Sequence, residues 1–152
     1  MIVYRLSKSK YSNDLSGRGA ERSGGRWNSK GVSMVYAGES RALCTTEIAV
    51  HTPLGNIPTD YEIISSEIPN ELISVLDITV LNDDWRSFPY SHFTQEIGDN
   101  FISDNVHLVL KVPSVVVPGD FNFLINPRHK DFSMVKIMEI VAFEFDERLF
   151  VK

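Results

Sequence analysis

The sequence predicts a single strand-rich α+β domain over residues 1–152, and three observations carry that prediction. Apolar and polar residues alternate near 1–6, 107–112 and 134–146, the period of half-buried strands. Two segments, about 41–51 and 91–103, repeat apolar residues at helical spacing. The chain, at 152 residues, is long enough to bury a core without a disulfide or a metal to staple it, and short enough for one domain.

Each element follows from local pattern. Ile2, Tyr4 and Leu6 fall on one face of an opening strand and Val3 and Arg5 on the other. Residues 7–31 are rich in Ser, Gly, Arg and Asn with little periodicity, and read as a long loop of the kind that is usually functional or disordered. Residues 33–37 read as a short strand. Ser40 is placed to cap a helix over about 41–51, in which Leu43, Cys44, Glu47 and Val50 share one stripe. Pro53, Gly55 and Pro58 close that unit. Residues 61–68 and 73–79 are strand candidates, and Phe93, Ile97 and Phe101 predict a helix over about 91–103. His107 to Val112 alternates as a strand, Pro113 interrupts it, and Val115 to Val117 resume an extended run. The segment NFLINPRHKDF reads as a turn-rich connection, and residues 134–146 as one or two strands.

Composition narrows the function. With 20 acidic against 15 basic residues the net charge is −5, and no basic stripe is present to neutralise phosphates, so direct nucleic-acid binding is not expected. Cys44 is the only cysteine, which excludes an intramolecular disulfide and fits a reducing cytoplasm. No charged-then-apolar leader opens the chain and no apolar run approaches a bilayer span, so a cytoplasmic protein without membrane contact is expected. His51, His92, His107 and His129 are scattered without metal-ligand spacing, so no metal site is expected.

Five residues stand out as candidates for chemistry. Arg26 follows Gly24 and Gly25, which let a ligand approach the backbone, and its planar fork suits phosphate or carboxylate; a surface ion pair is the structural alternative. Arg5 could add a second phosphate contact, or be an exposed strand arginine. Tyr36 could stack on a flat heterocycle with its hydroxyl in water, or pack in the core. Glu47 lies on an apolar helical stripe, where a carboxylate needs a partner; it could stabilise an oxocarbenium-like transition state, or form an ion pair with Arg26. Ser114 sits where Pro113 breaks the chain and could bind a ligand sugar, or simply serve a turn. Asn122, Asn126 and His129 are expected to be turn residues near the cleft, Trp27 and Trp85 packing anchors, and Cys44 a small core residue.

In order along the chain, VYRL, LSGRGAERSGGRWNSKG, VYAGESRALCTTEIAVH, TQEIGDNFI, LVLKVPSVVVPGDFNFLINPRHKDF and FEFDERLF resemble the RES domain family, the toxin half of RES–Xre toxin–antitoxin pairs. Residues 54–90 are the weakest match. The arginine, glutamate and serine that name the family correspond to Arg26, Glu47 and Ser114, and Arg5 and Tyr36 correspond to further positions lining the same cleft. The resemblance implies an ADP-ribosyltransferase-like fold, NAD+ as substrate with no separate cofactor, and an Xre-like antitoxin that blocks the cleft. It implies that Arg26 and Arg5 hold the pyrophosphate and Tyr36 stacks near the nicotinamide. Ser114 would bind the ribose or amide, and Glu47 the ribose hydroxyls. NAD+ depletion with growth arrest is the favoured activity. Transfer of ADP-ribose to a protein, a non-catalytic nucleotide- or partner-binding module and an RNA-cleaving toxin stay open, as does the acceptor: water, phosphate or a protein side chain.

Overall fold

The computed structural model describes residues 1–152. Seven strands make one sheet: β1 (Ile2–Lys8), β2 (Val35–Gly38), β3 (Tyr61–Glu67), β4 (Ile73–Val75), β5 (Val109–Pro113), β6 (Phe121–Ile125) and β7 (Lys136–Phe143). Their order across the sheet is β4-β5-β6-β2-β1-β3-β7. Neighbours run antiparallel, except the β4–β5 pair, which is parallel. Three helices join them: α1 (Arg18–Ser23), α2 (Arg41–His51) and α3 (His92–Asp104). The strand-rich α+β class is therefore correct. No helix is long and apolar enough to cross a membrane.

The sheet buries both faces near its centre. On one face Val3, Val35, Ala37, Phe123 and Ile125 form a cluster with Ile68, Leu108, Val109 and Val135. On the other, Leu110, Val112 and Leu124 pack with Phe101 and Ile102 of α3 and with Trp27 and Met34. The register sets Tyr36 opposite Leu124 and Gly38 opposite Asn122 and Tyr4, so these side chains share the α3 face. Helix α3 approaches the Gly24–Asn28 turn so closely that a Cβ at Gly98 would stand 1.5 Å from the Trp27 carbonyl oxygen.

Four local expectations change. The 7–31 stretch contains α1, a six-residue helix with no buried residue, which therefore leaves no apolar period to read. The segment read as a turn-rich connection begins with β6, an interior strand; Phe123, Leu124 and Ile125 are all buried, so a continuous apolar run replaces the alternation of a one-sided strand. The 73–79 strand stops at Val75, and Asp77 accepts the Thr79 N–H to start a 3₁₀ turn over Ile78–Val80. Residues 115–117 bend rather than extend, because the Ser114 hydroxyl accepts the N–H groups of both Val116 and Val117.

Candidate active site

A cavity of about 560 Å³ opens on the Tyr36 face of the sheet, between α2, the Gly24–Trp27 turn and the 88–90 and 115–116 segments. That size falls within the roughly 300–1,000 Å³ of small-molecule sites. Arg5, Arg26, Tyr36 and Glu47 all line it. Ser114 does not; it is 1% exposed and stands behind Glu47.

Helix α2 delivers the carboxylate. Ser40 caps it by accepting the Leu43 N–H at 3.0 Å, and Leu43 and Cys44 anchor it on the sheet. One turn later the same side carries Glu47 into the cavity, where it is the only carboxylate on the wall. Val50, expected on the buried stripe, is 57% exposed and forms part of the cavity rim. Ser114 donates its hydroxyl proton to Glu47 Oε1 at 3.3 Å. Its oxygen already accepts from Val116 and Val117, each at 3.1 Å, so the carboxylate is where the single proton is directed. Asn122, on β6, lines the cavity near the same carboxylate and favours its ionised form. Burial raises the Glu47 pKa, and Asn122, Ser114, His51 and Arg26 pull it back. No Arg26–Glu47 ion pair is present.

Tyr36 departs from expectation at its hydroxyl. It donates to Asn28 Oδ1 at 2.6 Å and accepts the Trp27 N–H at 3.1 Å, so it lies in a buried network rather than in water. Burial, first of all, raises its pKa far above the usual tyrosine range. This network braces the Gly24–Asn28 turn. The fully buried Asn28 donates to the Ala20 and Val32 carbonyls, and Gln95 of α3 donates to the Gly25 and Asn28 carbonyls. A Cβ at Gly25 would come within 2.9 Å of both Asn28 Oδ1 and the Tyr36 hydroxyl, which is why glycine stands there.

Both arginines are among the residues lining the cavity, each with some donors already engaged. Arg26 Nη1 donates to the Trp85 carbonyl at 2.8 Å and the Ser87 carbonyl at 3.0 Å, and the guanidinium lies 5.2 Å from the Tyr90 ring centre. Burial lowers its pKa, while Tyr90, Glu47 and Tyr36 raise it. Arg5 Nη2 donates to the Ser12 and Asp14 carbonyls at 3.1 and 3.2 Å, tying down the loop after β1, and its buried Nε has no partner.

Other assignments divide. Asn122 lines the cavity, whereas Asn126 and His129 shape the turn after β6: Asn126 Oδ1 accepts the Arg128 N–H, and His129 Nδ1 accepts that of Asp131. Trp27 and Trp85 pack together with ring centres 6.3 Å apart. Cys44 Sγ donates to the Tyr4 carbonyl, and burial pushes its thiol up to about 12, which keeps it protonated and unreactive. His51, Phe88 and Tyr90 also line the cavity and were not singled out in the sequence. His51 follows Glu47 by one helical turn, a spacing that could have exposed it; Phe88 and Tyr90 arrive from a segment with no period.

The chain as a whole is similar to known proteins. Residues 2–146 match the RES domain. The chain is 38% identical over 151 residues to "Toxin Res" of Photorhabdus laumondii, covering 98% of this chain and 97% of that protein. It is 35% identical over 144 residues to the "Prs ADP-ribosylating toxin" of a Sphingobium species, covering 93% and 89%. A chain of the crystal structure of the M. tuberculosis MbcT–MbcA toxin–antitoxin complex shares the fold, with a TM-score of 0.74 at 20% identity over 98% of this chain and 86% of that one.

Proposed function

The chain belongs to the RES domain family, and from that premise we propose that it is the toxin of a toxin–antitoxin pair and breaks the nicotinamide–ribose bond of NAD+. The observation that carries the reading is Glu47: a single desolvated carboxylate on the wall of a cavity that two arginines also line, with the Ser114 hydroxyl directed at it and Asn122 nearby. The names of its relatives, toxins and an ADP-ribosylating toxin, support the same class.

The chemistry follows from charge. Nicotinamide in NAD+ is a cationic leaving group; as the C–N bond breaks, its ring nitrogen keeps the electron pair and becomes neutral, so no general acid is required. Positive charge then grows on the ribose, and an ionised carboxylate beside it stabilises that transition state. This is why one carboxylate suffices where a typical glycosidase uses two. Arg26 and Arg5 supply charge-assisted donors for the pyrophosphate. Tyr36 presents its ring to the cavity while its hydroxyl holds the Gly24–Asn28 turn. Ser114 positions Glu47 rather than touching the sugar directly.

We take water or phosphate as the acceptor, giving NAD+ degradation; a protein side chain would give ADP-ribosylation, the reading favoured by the name of the Sphingobium relative. An Xre-like antitoxin that plugs this cavity is the partner proposed. Purified protein should release nicotinamide from NAD+, and dependence on added phosphate separates phosphorolysis from hydrolysis. Absence of release from the folded protein, with and without cell extract, would move the assignment to a non-catalytic binding module.

Ser114→Ala should lower kcat. The 3.3 Å separation is long for an O–H···O bond, so a loss of about tenfold is expected, at the weak end for hydrogen bonds to charged groups. Losing this bond raises the Glu47 pKa further, so the rising limb of the rate–pH profile should move to higher pH. A profile that does not move would restrict Ser114 to its turn.

A further inference from the structure

We infer that Phe88 and Tyr90 form an aromatic subsite at the cavity mouth that takes the adenine ring of the dinucleotide. This rests on the NAD+ reading above and extends it to the end of the ligand remote from the bond that breaks.

The 85–90 segment is held over the cavity by Arg26, through the Trp85 and Ser87 carbonyls, and by the packing of Trp85 on Trp27. That fixes two aromatic rings on the cavity wall. Phe88 and Tyr90 have ring centres 5.5 Å apart and planes at 86°, so an edge of one meets the face of the other. Phe88 is nevertheless 77% exposed. A phenylalanine this bare at the mouth of a pocket offers an uncovered face to a flat partner, and stacking on an aromatic side chain is how proteins hold nucleobases without hydrogen-bond readout.

The order of groups selects which base. The Arg26 guanidinium lies 5.2 Å from the Tyr90 ring centre and is tied to the Trp85 and Ser87 carbonyls, so it stands beside the aromatic pair. Glu47 is held from the interior side by Ser114, which is 1% exposed, whereas Phe88 stands out at the mouth. The carboxylate therefore sits toward the interior and the aromatic pair at the mouth, with the guanidinium beside the pair. NAD+ has the matching order of reacting ribose, pyrophosphate and adenosine. With Glu47 at the ribose and Arg26 at the pyrophosphate, the ring that reaches Tyr90 and Phe88 is adenine. Both residues lie within 54–90, where the sequence resembles the family least.

The test is calorimetric titration of ADP-ribose, and separately of nicotinamide mononucleotide, into the wild type, Phe88→Ala, Phe88→Tyr, Tyr90→Ala and Tyr90→Phe. Both alanine variants should bind ADP-ribose about tenfold more weakly, the aromatic replacements should bind it like the wild type, and affinity for nicotinamide mononucleotide should not change between variants. Equal weakening of both ligands, unchanged ADP-ribose affinity in Phe88→Ala, or failure of the wild type to bind ADP-ribose would overturn the subsite. The exposed position of Phe88 makes its variants safe for folding, and circular dichroism checks Tyr90→Ala. Nicotinamide release by the wild type is scored separately. A protein that binds ADP-ribose through Phe88 but releases no nicotinamide would retain the subsite and lose the cleavage reading.

Discussion

Glu47→Gln is expected to cut nicotinamide release by at least about 10²–10³-fold, the scale for removing a preorganised electrostatic partner of a transition state, without lowering the melting temperature. The two halves have one cause. Burial raises the Glu47 pKa above its unfolded value, so in the window between the unfolded and folded values the native state holds a proton that the unfolded state has released. Stability therefore falls as pH rises through that window and stays reduced above it, where the desolvated carboxylate is ionised. Glutamine removes this penalty and can still accept from Ser114. The wild-type rate should run the opposite way, rising with pH as Glu47 ionises, and the residual rate of the variant should lose that limb. Paired thermal melts and rate–pH profiles check both. Near-normal turnover in the variant would remove Glu47 from the mechanism; a variant that melts well below the wild type would show that the carboxylate is a structural partner.

The same residue shows what a sequence can and cannot disclose. Helix α2 was legible because its cap and stripe are local: Ser40 lies three residues before the N–H it accepts, and Leu43, Cys44 and Glu47 repeat at helical spacing. Cavity residues on or next to glycine turns and capped helices, Arg26 and Glu47, were legible for the same reason. What was hidden depends on contacts distant in sequence. Tyr36 looked like a free platform because nothing nearby announces that Asn28 and Trp27 will take its hydroxyl. Ser114 looked like a ligand contact because the direction of its one proton is settled only by where Val116, Val117 and Glu47 meet. Strand β6 was hidden by its success as a core strand, since burial on both faces erases alternation. Phe88 and Tyr90 were invisible because Arg26, some sixty residues earlier, is what holds their segment over the cavity.

That double commitment makes Arg26 the second decisive position. Arg26→Ala should raise the KM for NAD+ by about 10–100-fold, the equivalent of one or more hydrogen bonds to a charged group, and should also free the 85–90 segment. The two effects are separable by salt. A guanidinium facing a pyrophosphate loses attraction as ionic strength rises, whereas donation to the neutral Trp85 and Ser87 carbonyls is far less sensitive. The wild-type KM should therefore climb with salt, and that slope should flatten in Arg26→Ala. Hydrogen exchange at residues 85–90 reads the second role, with faster exchange expected in the variant. Arg26→Lys keeps the charge but not the fork, so it should preserve most of the salt slope while leaving the segment loose, because one ammonium cannot hold two carbonyls and a phosphate in the same plane. If the salt slope survives in Arg26→Ala and only exchange increases, Arg26 is a strap for the cavity mouth, and Arg5, whose buried Nε has no partner, becomes the leading candidate for the phosphate ligand.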